Sequence, residues 1–339
     1  MSYSFQGLLN RVNESAIVNT LKEYTGLNTP KWTFNDIPDL TGKVALVTGS
    51  SGGIGYVTAL ELARKGAKVY LAGRNEEKYQ KVMKQIHDEV RHSKIRFLRL
   101  DLLDFESVYQ AAESFIAKEE KLHILVNNAG IMNPPFELTK DGYELQIQTN
   151  YLSHYLFTEL LLPTLRRTAE ECRPGDVRIV HVASIAYLQA PYSGIYFPDL
   201  NLPHVLLGTF ARYGQSKYAQ ILYSIALAKR LEKYGIYSVS LHPGVIRTEL
   251  TRYSPTFALK LLEKSVFQYL LLDPIRGAMT SLYAATSPEI SKEHLNGAYF
   301  TAIAQRGILH RAHDDAFVEE LYRYTHKIFE DLKYLAPSP

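Results

Sequence analysis

The chain has very little cysteine, and Cys172 is the one cysteine among its 339 residues. A single thiol cannot close an intrachain disulfide, which excludes a disulfide-stabilised secreted domain and favours a reducing compartment. Nothing near Cys172 in the sequence would activate its thiol, so we do not expect a catalytic nucleophile there. Paired cysteines and the His-Glu-x-x-His pattern are also missing, so the sequence predicts no metal site.

Long apolar runs and an excess of one charge are missing as well. The 38 Lys and Arg residues against 35 Asp and Glu leave a net charge of +3, which is too small to predict binding to nucleic acid. The richest apolar run, residues 266–272, is much shorter than a membrane span. The N-terminus lacks a basic region followed by an apolar one, and neither end has a lipidation motif. We therefore expect a cytoplasmic protein without a membrane span; a peripheral membrane contact and a homodimer stay open.

From residue 43 onward, short β-branched runs alternate with longer amphipathic segments. Nearly continuous apolar content predicts six buried strands, at Val44–Thr48, Lys68–Ala72, Ile95–Arg99, Ile124–Asn127, Val177–Ala183 and Tyr237–His242. Apolar residues at helical spacing predict five helices, at Ile54–Lys65, Glu76–Val90, Phe105–Lys118, Tyr143–Thr168 and Gln215–Tyr234. This alternation favours an α/β fold with a doubly wound parallel sheet and helices on both faces, formed as one domain over residues 43–305.

Two segments flank this domain. Apolar residues at roughly helical spacing predict a helical N-terminal extension within residues 1–42, packed on the domain; a membrane-surface or partner helix is the alternative. We expect residues 306–339 to form a C-terminal helical tail. Residues 249–272, after the sixth strand, have the pattern of an apolar helical insertion.

A glycine-rich turn with the sequence TGSSGGIG, residues 48–55, follows the first predicted strand and opens into a helix. Glycine permits the tight turn and lets the backbone approach a pyrophosphate, while the helix N-terminus supplies free N–H groups and a favourable dipole. Glycines alone are weak evidence, because any sharp strand-to-helix connection favours them. The position of the turn, directly after the first strand of an alternating chain, is what predicts a dinucleotide site. The residues expected to contact the cofactor here are Gly49, Ser51, Gly53, Ile54 and Gly55.

This turn resembles the Thr-Gly-x-x-x-Gly-x-Gly fingerprint of the short-chain dehydrogenase/reductase family, and it fits the pattern of the family's epimerase-type branch equally well. The sequence NNAG at residues 127–130, after the fourth strand, resembles the oxidoreductase branch. Matching motifs run from residue 42 to about residue 248. The resemblance implies a Rossmann-type fold and a nicotinamide cofactor, with contacts to it from Asn128, Ala129 and Gly130.

The end of the second strand bears on the choice of cofactor. An acidic residue there would bind the ribose 2′-hydroxyl of NAD, whereas an arginine accommodates the 2′-phosphate of NADP. The chain has Arg74 at this place, and a guanidinium can hold a phosphate with two parallel donors. This predicts NADP (NADPH), although Glu76 and Glu77 keep NAD open. Asp101 and Leu102, after the third strand, resemble the family's contact to the adenine.

The sequence YGQSK at residues 213–217 carries the predicted chemistry. On a helix, residues four apart share a face, so Tyr213 and Lys217 face the same space. Carbonyl reduction needs a proton at the oxygen as hydride reaches the carbon, and a tyrosine with its ordinary pKa near 10 needs a lowered pKa to work at neutral pH. The Lys217 ammonium and a positively charged oxidised nicotinamide would favour the phenolate and so lower the pKa of Tyr213.

The family resemblance implies a role for each residue of the site. Tyr213 is the general acid and base, and Lys217 tunes it and holds the nicotinamide ribose. Ser184 polarises the substrate carbonyl, and Asn150 helps to seat Lys217 and a relay water. Ser184 and Tyr213 lie 29 positions apart. The segment between these two residues is longer than in the short members of the family. In this the chain resembles the retinol dehydrogenase-like and protochlorophyllide reductase-like members.

The turn after the sixth strand resembles the family's segment that grips the nicotinamide carboxamide and, through its threonine, a phosphate: Pro243, Gly244, Val245, Ile246 and Thr248. We expect His242, just before it, to be a packed strand-end histidine rather than a catalyst. By the same resemblance, residues 249–272 form a lid over the substrate.

The inserts on either side of the expected pocket bear on the substrate. The lid region is rich in apolar residues, and the insert after Ser184 contains the aromatic residues Tyr187, Tyr192, Tyr196 and Phe197. An apolar lid gains most from covering an apolar substrate, which favours a lipophilic carbonyl or alcohol. Packing on the sheet, a dimer contact or a membrane contact is the alternative for these residues.

Together these features predict an NADP-dependent oxidoreductase that transfers a hydride between nicotinamide and a lipophilic carbonyl or alcohol. An NAD-linked alcohol dehydrogenase and a non-catalytic NADP(H)-binding regulatory protein are the alternatives.

Overall fold

A computed structural model describes residues 32–203, 208–244, 246, 273–311 and 313–337. Eight strands in these residues form one sheet, in the order β3-β2-β1-β4-β5-β6-β7-β8. The strands are β1 Val44–Thr48, β2 Lys68–Gly73, β3 Lys94–Arg99, β4 Ile124–Asn127, β5 Val177–Val182, β6 Ile236–Leu241, β7 Tyr299–Thr301 and β8 Gln305–Arg306. Neighbours from β3 to β7 pair in parallel, and β8 runs antiparallel to β7. The strand order reverses between β1 and β4, which is where open α/β sheets bind their ligands.

Helices cover both faces of this sheet. They are α1 Gly53–Arg64, α2 Glu76–Glu89, α3 Phe105–Ile116, α4 Ser153–Glu170, α5 Gly208–Leu231, α6 Pro274–Thr286, α7 Glu289–Lys292 and α8 Asp315–Asp331. One apolar cluster lies between the sheet and α3, α4, α5 and α8, and a second lies between the sheet and α1, α2 and α6. The predicted doubly wound parallel sheet with helices on both faces is therefore confirmed.

The central strands are buried on both faces, as their apolar runs predict. All five residues of β1 are buried. Val44 and Leu46 point into the first cluster, while Ala45 and Val47 point into the second, because successive strand side chains face opposite sides of a sheet. Each helix of the described residues falls short of the length or apolarity that crossing a bilayer requires.

Two helices begin several residues away from their predicted starts. The fifth predicted helix, Gln215–Tyr234, extends in the structure back to Gly208, so Tyr213 lies inside α5. The fourth, Tyr143–Thr168, begins later because Glu144 pairs with Leu138 in a β-bridge, and a π-helical turn, Ile147–Leu152, precedes α4. Burial runs through both regions, so apolar content alone does not mark where either helix begins.

The flanking segments are described in part. The expected helix of the N-terminal extension falls mainly on residues 1–31, which lie outside the described residues, as does the expected lid at residues 249–272. Close to β1, Trp32 is buried and meets the Tyr283 ring of α6 edge to face at 5.7 Å. At the other end, Asp314 caps α8 by accepting from the Phe317 N–H at 2.8 Å.

Candidate active site

The turn between β1 and α1 is shaped by close backbone packing, and the predicted Gly49, Ser51, Gly53, Ile54 and Gly55 all lie in it or in the first turn of α1. Gly49 has φ +65°, and a Cβ on it would lie 2.8 Å from Ala129 Cα. A Cβ on Gly55 would lie 2.5 Å from the Asn128 side-chain nitrogen. A side chain at either position would therefore separate the turn from the end of β4. Gly52 caps α1 without a side-chain hydrogen bond, and the N–H groups at such a helix N-terminus are suited to an anionic ligand.

Thr48, the last residue of β1, joins this turn to the end of β4. Its Oγ1 accepts the backbone N–H groups of Asn128 and Ala129, both at 2.9 Å. In return, Asn128 Nδ2 donates to the Thr48 carbonyl at 2.7 Å. The predicted contact residues Asn128, Ala129 and Gly130 are thereby held against the glycine turn at the reversal point of the sheet.

A cleft of about 650 Å³ lies beyond the ends of β2 and β3. It is lined by Arg74, Asn75, Arg99, Asp101, Asp104, Ser107 and Gln110. Sequence reasoning found Arg74 and Asp101 but missed Arg99. Arg99 ends β3 and pairs in register with Gly73, the residue before Arg74, so only the pairing of β2 with β3 brings the two arginines together. Leu102, the other predicted adenine contact, is buried in the core.

The turn after β6 approaches the glycine turn from the other side. A Cβ on Gly277 of α6 would clash with Ile246 and would lie 3.2 Å from Cγ1 of Ile54, so these two side chains meet over one glycine. Pro243 and Gly244 link Ile246 to β6, whereas the predicted Val245 and Thr248 lie outside the described residues.

His242, at the end of β6, is buried as expected. Burial lowers its pKa to about 3, and both ring nitrogens are without a hydrogen-bond partner among the described residues.

Tyr213 and Ser184 come together at the carboxyl end of β5. Burial raises the pKa of Tyr213 to about 12, and a hydrogen bond with the Ser184 hydroxyl opposes that rise. In the chain alone the shift is thus opposite to the expected lowering, because burial of the phenol outweighs the other effects. Ser184 also caps the short 3-10 helix Ile185–Gln189, its Oγ accepting the Ala186 N–H at 3.2 Å. Since this bond uses a lone pair of Oγ, the Ser184 proton stays available for an oxygen.

Lys217 lies one turn along α5 with its ammonium fixed beside Tyr213. Its Nζ donates to the Val182 carbonyl and to Gln220 Oε1, each at 2.9 Å, and lies 5.7 Å from the Tyr213 ring centre. Two of its three hydrogens thus have partners among the described residues, and the third remains for a ligand. Burial lowers the pKa of Lys217 to about 7. A Cβ on Gly130 would lie 3.3 Å from Lys217 Nζ, so the end of β4 closes over the ammonium.

Asn150 lies in the π-helical turn before α4 and joins two parts of the site. Its Oδ1 accepts the Ile131 N–H at 2.9 Å, and its Nδ2 donates to the Ile131 carbonyl at 3.1 Å and to Ser216 Oγ at 2.9 Å. Asn150 therefore holds α5 through Ser216, the residue before Lys217, and its amide is not bonded to the ammonium itself. A second residue that sequence reasoning missed, His154, lies one turn further along; its four-residue spacing from Asn150 is the signal that could have found it.

The aromatic residues of the insert after Ser184 divide into two packed and two exposed side chains. Tyr187 is fully buried, stacks on Tyr218 at 6.0 Å, and accepts the His310 N–H at 2.9 Å. Phe197 packs edge to face against Phe317 of α8 at 5.8 Å. Both side chains therefore pack inside the protein. The alternative interpretation, packing on the sheet, applies to Tyr187, whose ring also meets Tyr299 of β7 edge to face at 5.8 Å. Tyr192 is fully exposed to solvent and Tyr196 partly so.

Three comparisons place this geometry among known proteins. A family model described as short chain dehydrogenase matches residues 43–196. The short-chain dehydrogenase/reductase drtF of Aspergillus calidoustus is 44% identical over 275 residues, which are 78% of this chain and 86% of that protein. Retinol dehydrogenase 12 of Mus musculus is 38% identical over 286 residues, 84% of this chain and 86% of that protein. A crystal structure of an uncharacterized protein from Mycobacterium paratuberculosis superimposes with a TM-score of 0.66 at 28% identity, covering 89% of this chain and 98% of that one.

Proposed function

The chain belongs to the short-chain dehydrogenase/reductase family of oxidoreductases, and on that premise we propose that it uses NADP and acts on a lipophilic carbonyl or alcohol. The nicotinamide, when bound, supplies or accepts the hydride. The residues of the chain bind the substrate oxygen and move its proton. The observation that carries the proposal is the convergence of Tyr213, Ser184 and Lys217 on one point at the ends of β4 and β5.

In the direction of reduction, Tyr213 is the proton donor. Burial raises its pKa to about 12, so the phenol holds its proton at neutral pH. A substrate oxygen beside Tyr213 and Ser184 receives a hydrogen bond from each, and these bonds strengthen as negative charge develops on that oxygen. A charged Lys217, 5.7 Å from the ring, stabilises the phenolate left after proton transfer.

Two arginines support the preference for NADP. Arg74 and Arg99 line one cleft at the ends of neighbouring strands, and neither is paired with a carboxylate among the described residues. A ribose phosphate there would be bound by two guanidinium groups through charge-assisted hydrogen bonds.

The same cleft contains the observation that favours NAD instead. Asp101 and Asp104 also line it, and a carboxylate is the usual partner of ribose hydroxyls. Both carboxylates have other partners, however. Asp101 Oδ1 accepts the Leu103 N–H at 3.1 Å, and Asp104 is ion-paired with Lys140 at 2.7 Å.

Two exposed apolar side chains, on or beside segments that carry site residues, support a lipophilic substrate. Leu188, on the 3-10 helix that Ser184 caps, is 41% exposed, and Phe136 is 43% exposed. The Arg212 guanidinium lies 5.1 Å from the Phe136 ring, which places that ring beside the residue preceding Tyr213. Covering such groups with an apolar chain removes their surface from water and stabilises the complex.

The test is a series of straight-chain aldehydes of rising length, with NADPH consumption measured for the purified protein. We expect kcat/KM to rise by up to about fourfold for each methylene that becomes buried. Tyr213→Phe should abolish turnover while the Kd for NADPH changes less than about twofold, because the variant loses a proton and keeps the ring. Tyr192→Phe, at a fully exposed position, is the matched control and should behave as the parent. Turnover by Tyr213→Phe would contradict the role of Tyr213, and a flat length profile would contradict the lipophilic substrate.

A further inference from the structure

His154 is a buried histidine, 1% exposed, in the first turn of α4. Its Nδ1 lies 3.0 Å from the carbonyl oxygen of Asn150, and its Nε2 lies 2.9 Å from Thr48 Oγ1. Its two nitrogens thus connect the π-helical turn of Asn150 with the last residue of β1. Both ends of this connection are residues of the candidate site.

The chemistry of the two partners determines where the ring proton sits. Burial lowers the pKa of His154 to about 4, so the ring is neutral and has a single N–H. The Asn150 carbonyl can only accept a hydrogen bond, so the proton is on Nδ1. Nε2 then has only a lone pair, and the Thr48 hydroxyl must donate to it.

This assignment also fixes the orientation of Thr48. The Val126 carbonyl, at 3.5 Å, is a second acceptor near the Thr48 hydroxyl, but His154 Nε2 is closer at 2.9 Å. With its one hydroxyl proton directed at His154, Thr48 Oγ1 keeps two lone pairs, and these accept the N–H groups of Asn128 and Ala129 at 2.9 Å. The hydrogen bonds therefore run in one direction, from the end of β4 through Thr48 and His154 to the Asn150 carbonyl. Each group in the series has its donors and acceptors satisfied.

Beyond Asn150, the series reaches the catalytic helix. The Asn150 amide binds Ile131, which follows Gly130, and Ser216, which precedes Lys217. A shift of the Asn150 backbone would be transmitted to both contacts, because its amide is bonded on both sides. His154 is therefore placed between the part of the molecule that meets the cofactor and the part that holds Lys217.

We propose that His154 is a positioning residue whose two ring nitrogens serve different steps: Nε2 holds the cofactor turn through Thr48, and Nδ1 holds Asn150, which supports the catalytic helix, through the Asn150 carbonyl. This inference rests on the proposed function, since it assigns cofactor binding to the turn and proton transfer to the site that Asn150 supports. A histidine that merely filled the core would affect both steps alike.

Two substitutions of His154 test the roles of its two ring nitrogens separately. The side-chain amide of Asn reaches the position of Nδ1 and that of Gln reaches the position of Nε2. His154→Asn should keep the bond to Asn150 and lose that to Thr48, raising the Kd for NADPH about fivefold while kcat at saturating cofactor stays within about twofold. His154→Gln should show the reverse, with kcat lowered about tenfold and the Kd for NADPH within about twofold of the parent.

His326→Gln is the matched control, because His326 is also bonded through both nitrogens, to Tyr155 and to the Ala336 carbonyl, on α8. His326→Gln should lower the melting temperature and should not change the Kd for NADPH relative to kcat. Equal changes in Kd and kcat for both His154 variants would overturn the proposal.

Thr48→Val and Thr48→Ser examine the same connection from its other end. The Val variant, which lacks the hydroxyl, should raise the Kd for NADPH as His154→Asn does, and the Ser variant should restore it. A Val variant with the Kd of the parent would contradict the link even if the His154 variants do not fold. If the parent protein binds NADPH but reduces none of the aldehydes, that result contradicts the proposed function only. The role of His154 is still tested then, because the Kd for NADPH can be compared between the parent and the variants.

Discussion

Arg74 and Arg99 extend into one cleft from the ends of neighbouring strands, and their shared position gives the cofactor preference a residue-level test. Arg74→Ala and Arg99→Ala should each raise the Kd for NADPH about tenfold, the size of a lost hydrogen bond to a charged group, and leave the Kd for NADH nearly unchanged. Fluorescence titration with both cofactors measures this.

Arg96→Ala is the matched control for this pair. Arg96 is exposed on the same strand as Arg99 but does not line the cleft, so its loss should change neither Kd. If the Arg74 or Arg99 variant binds NADH and NADPH more weakly by the same factor, the guanidinium binds a part that both cofactors share.

Local spacing explains which site residues could be predicted at this scale. Tyr213 and Lys217 could be predicted from the sequence, because side chains four residues apart on a helix lie on the same face. Arg99 could not be predicted in this way, since its proximity to Arg74 depends on β3 pairing with β2 in one particular register. The spacing of His154 from Asn150 is a local signal, but its contact with Thr48, a residue 106 places away in the chain, depends on the fold.

At the scale of elements, the insert after Ser184 and the segment before α8 form one unit. Arg311 donates to the carbonyls of Ala190 at 3.0 Å and Tyr192 at 2.8 Å and also bonds that of Pro191. Its guanidinium lies 5.1 Å from the Tyr218 ring of α5. One side chain therefore fixes three consecutive carbonyls of the insert close to the catalytic helix.

Arg311→Met should consequently destabilise the protein and slow it. Losing these bonds should cost about 1–3 kcal/mol of the free energy of unfolding, and kcat should fall because the insert begins at Ser184. Denaturant unfolding and steady-state kinetics measure the two effects. Arg306→Met, on the exposed surface of β8, should alter neither. Unchanged stability in the Arg311 variant would mean that other contacts hold the insert.

The elements that sequence analysis found are those with long, uninterrupted patterns. Strands β1 to β6 have four to six residues each and were predicted within one or two residues, whereas β7 and β8 have three and two and were missed. The packing of Tyr187 and Phe197 could not be foreseen either. Their partners His310 and Phe317 become neighbours only when the C-terminal segment folds back, and Tyr218 becomes one only when α5 packs on the insert.

The stability of the whole molecule should depend on one buried charge. Burial lowers the pKa of Lys217 from 10.5 to about 7, so between about pH 7 and pH 10.5 the unfolded chain binds a proton there that the folded protein does not. The free energy of unfolding should therefore rise with pH across this window, by at most about 1.4 kcal/mol per pH unit from this group. Lys217→Met should remove that contribution.

Urea unfolding of the parent and of Lys217→Met, from pH 6.5 to pH 9.5, checks this slope. The Met variant should gain most over the parent at the lowest pH, and the gain should shrink as pH rises. Lys81→Met, at an exposed position on α2, should follow the parent at every pH. Parallel curves for the parent and Lys217→Met would show that the folded protein keeps Lys217 charged.

The place of β1 in the sheet has a consequence for how the protein is made. β1 is the first strand of the described residues, yet β2 lies on one side of it and β4, which begins at Ile124, on the other. At a synthesis rate of about 5–20 residues per second, the β4 side of this largely apolar strand is unpaired for on the order of ten seconds before β4 has been synthesised. Nascent chains should therefore engage chaperones at β1, and refolding at high concentration should lose material to aggregation through the same unpaired edge.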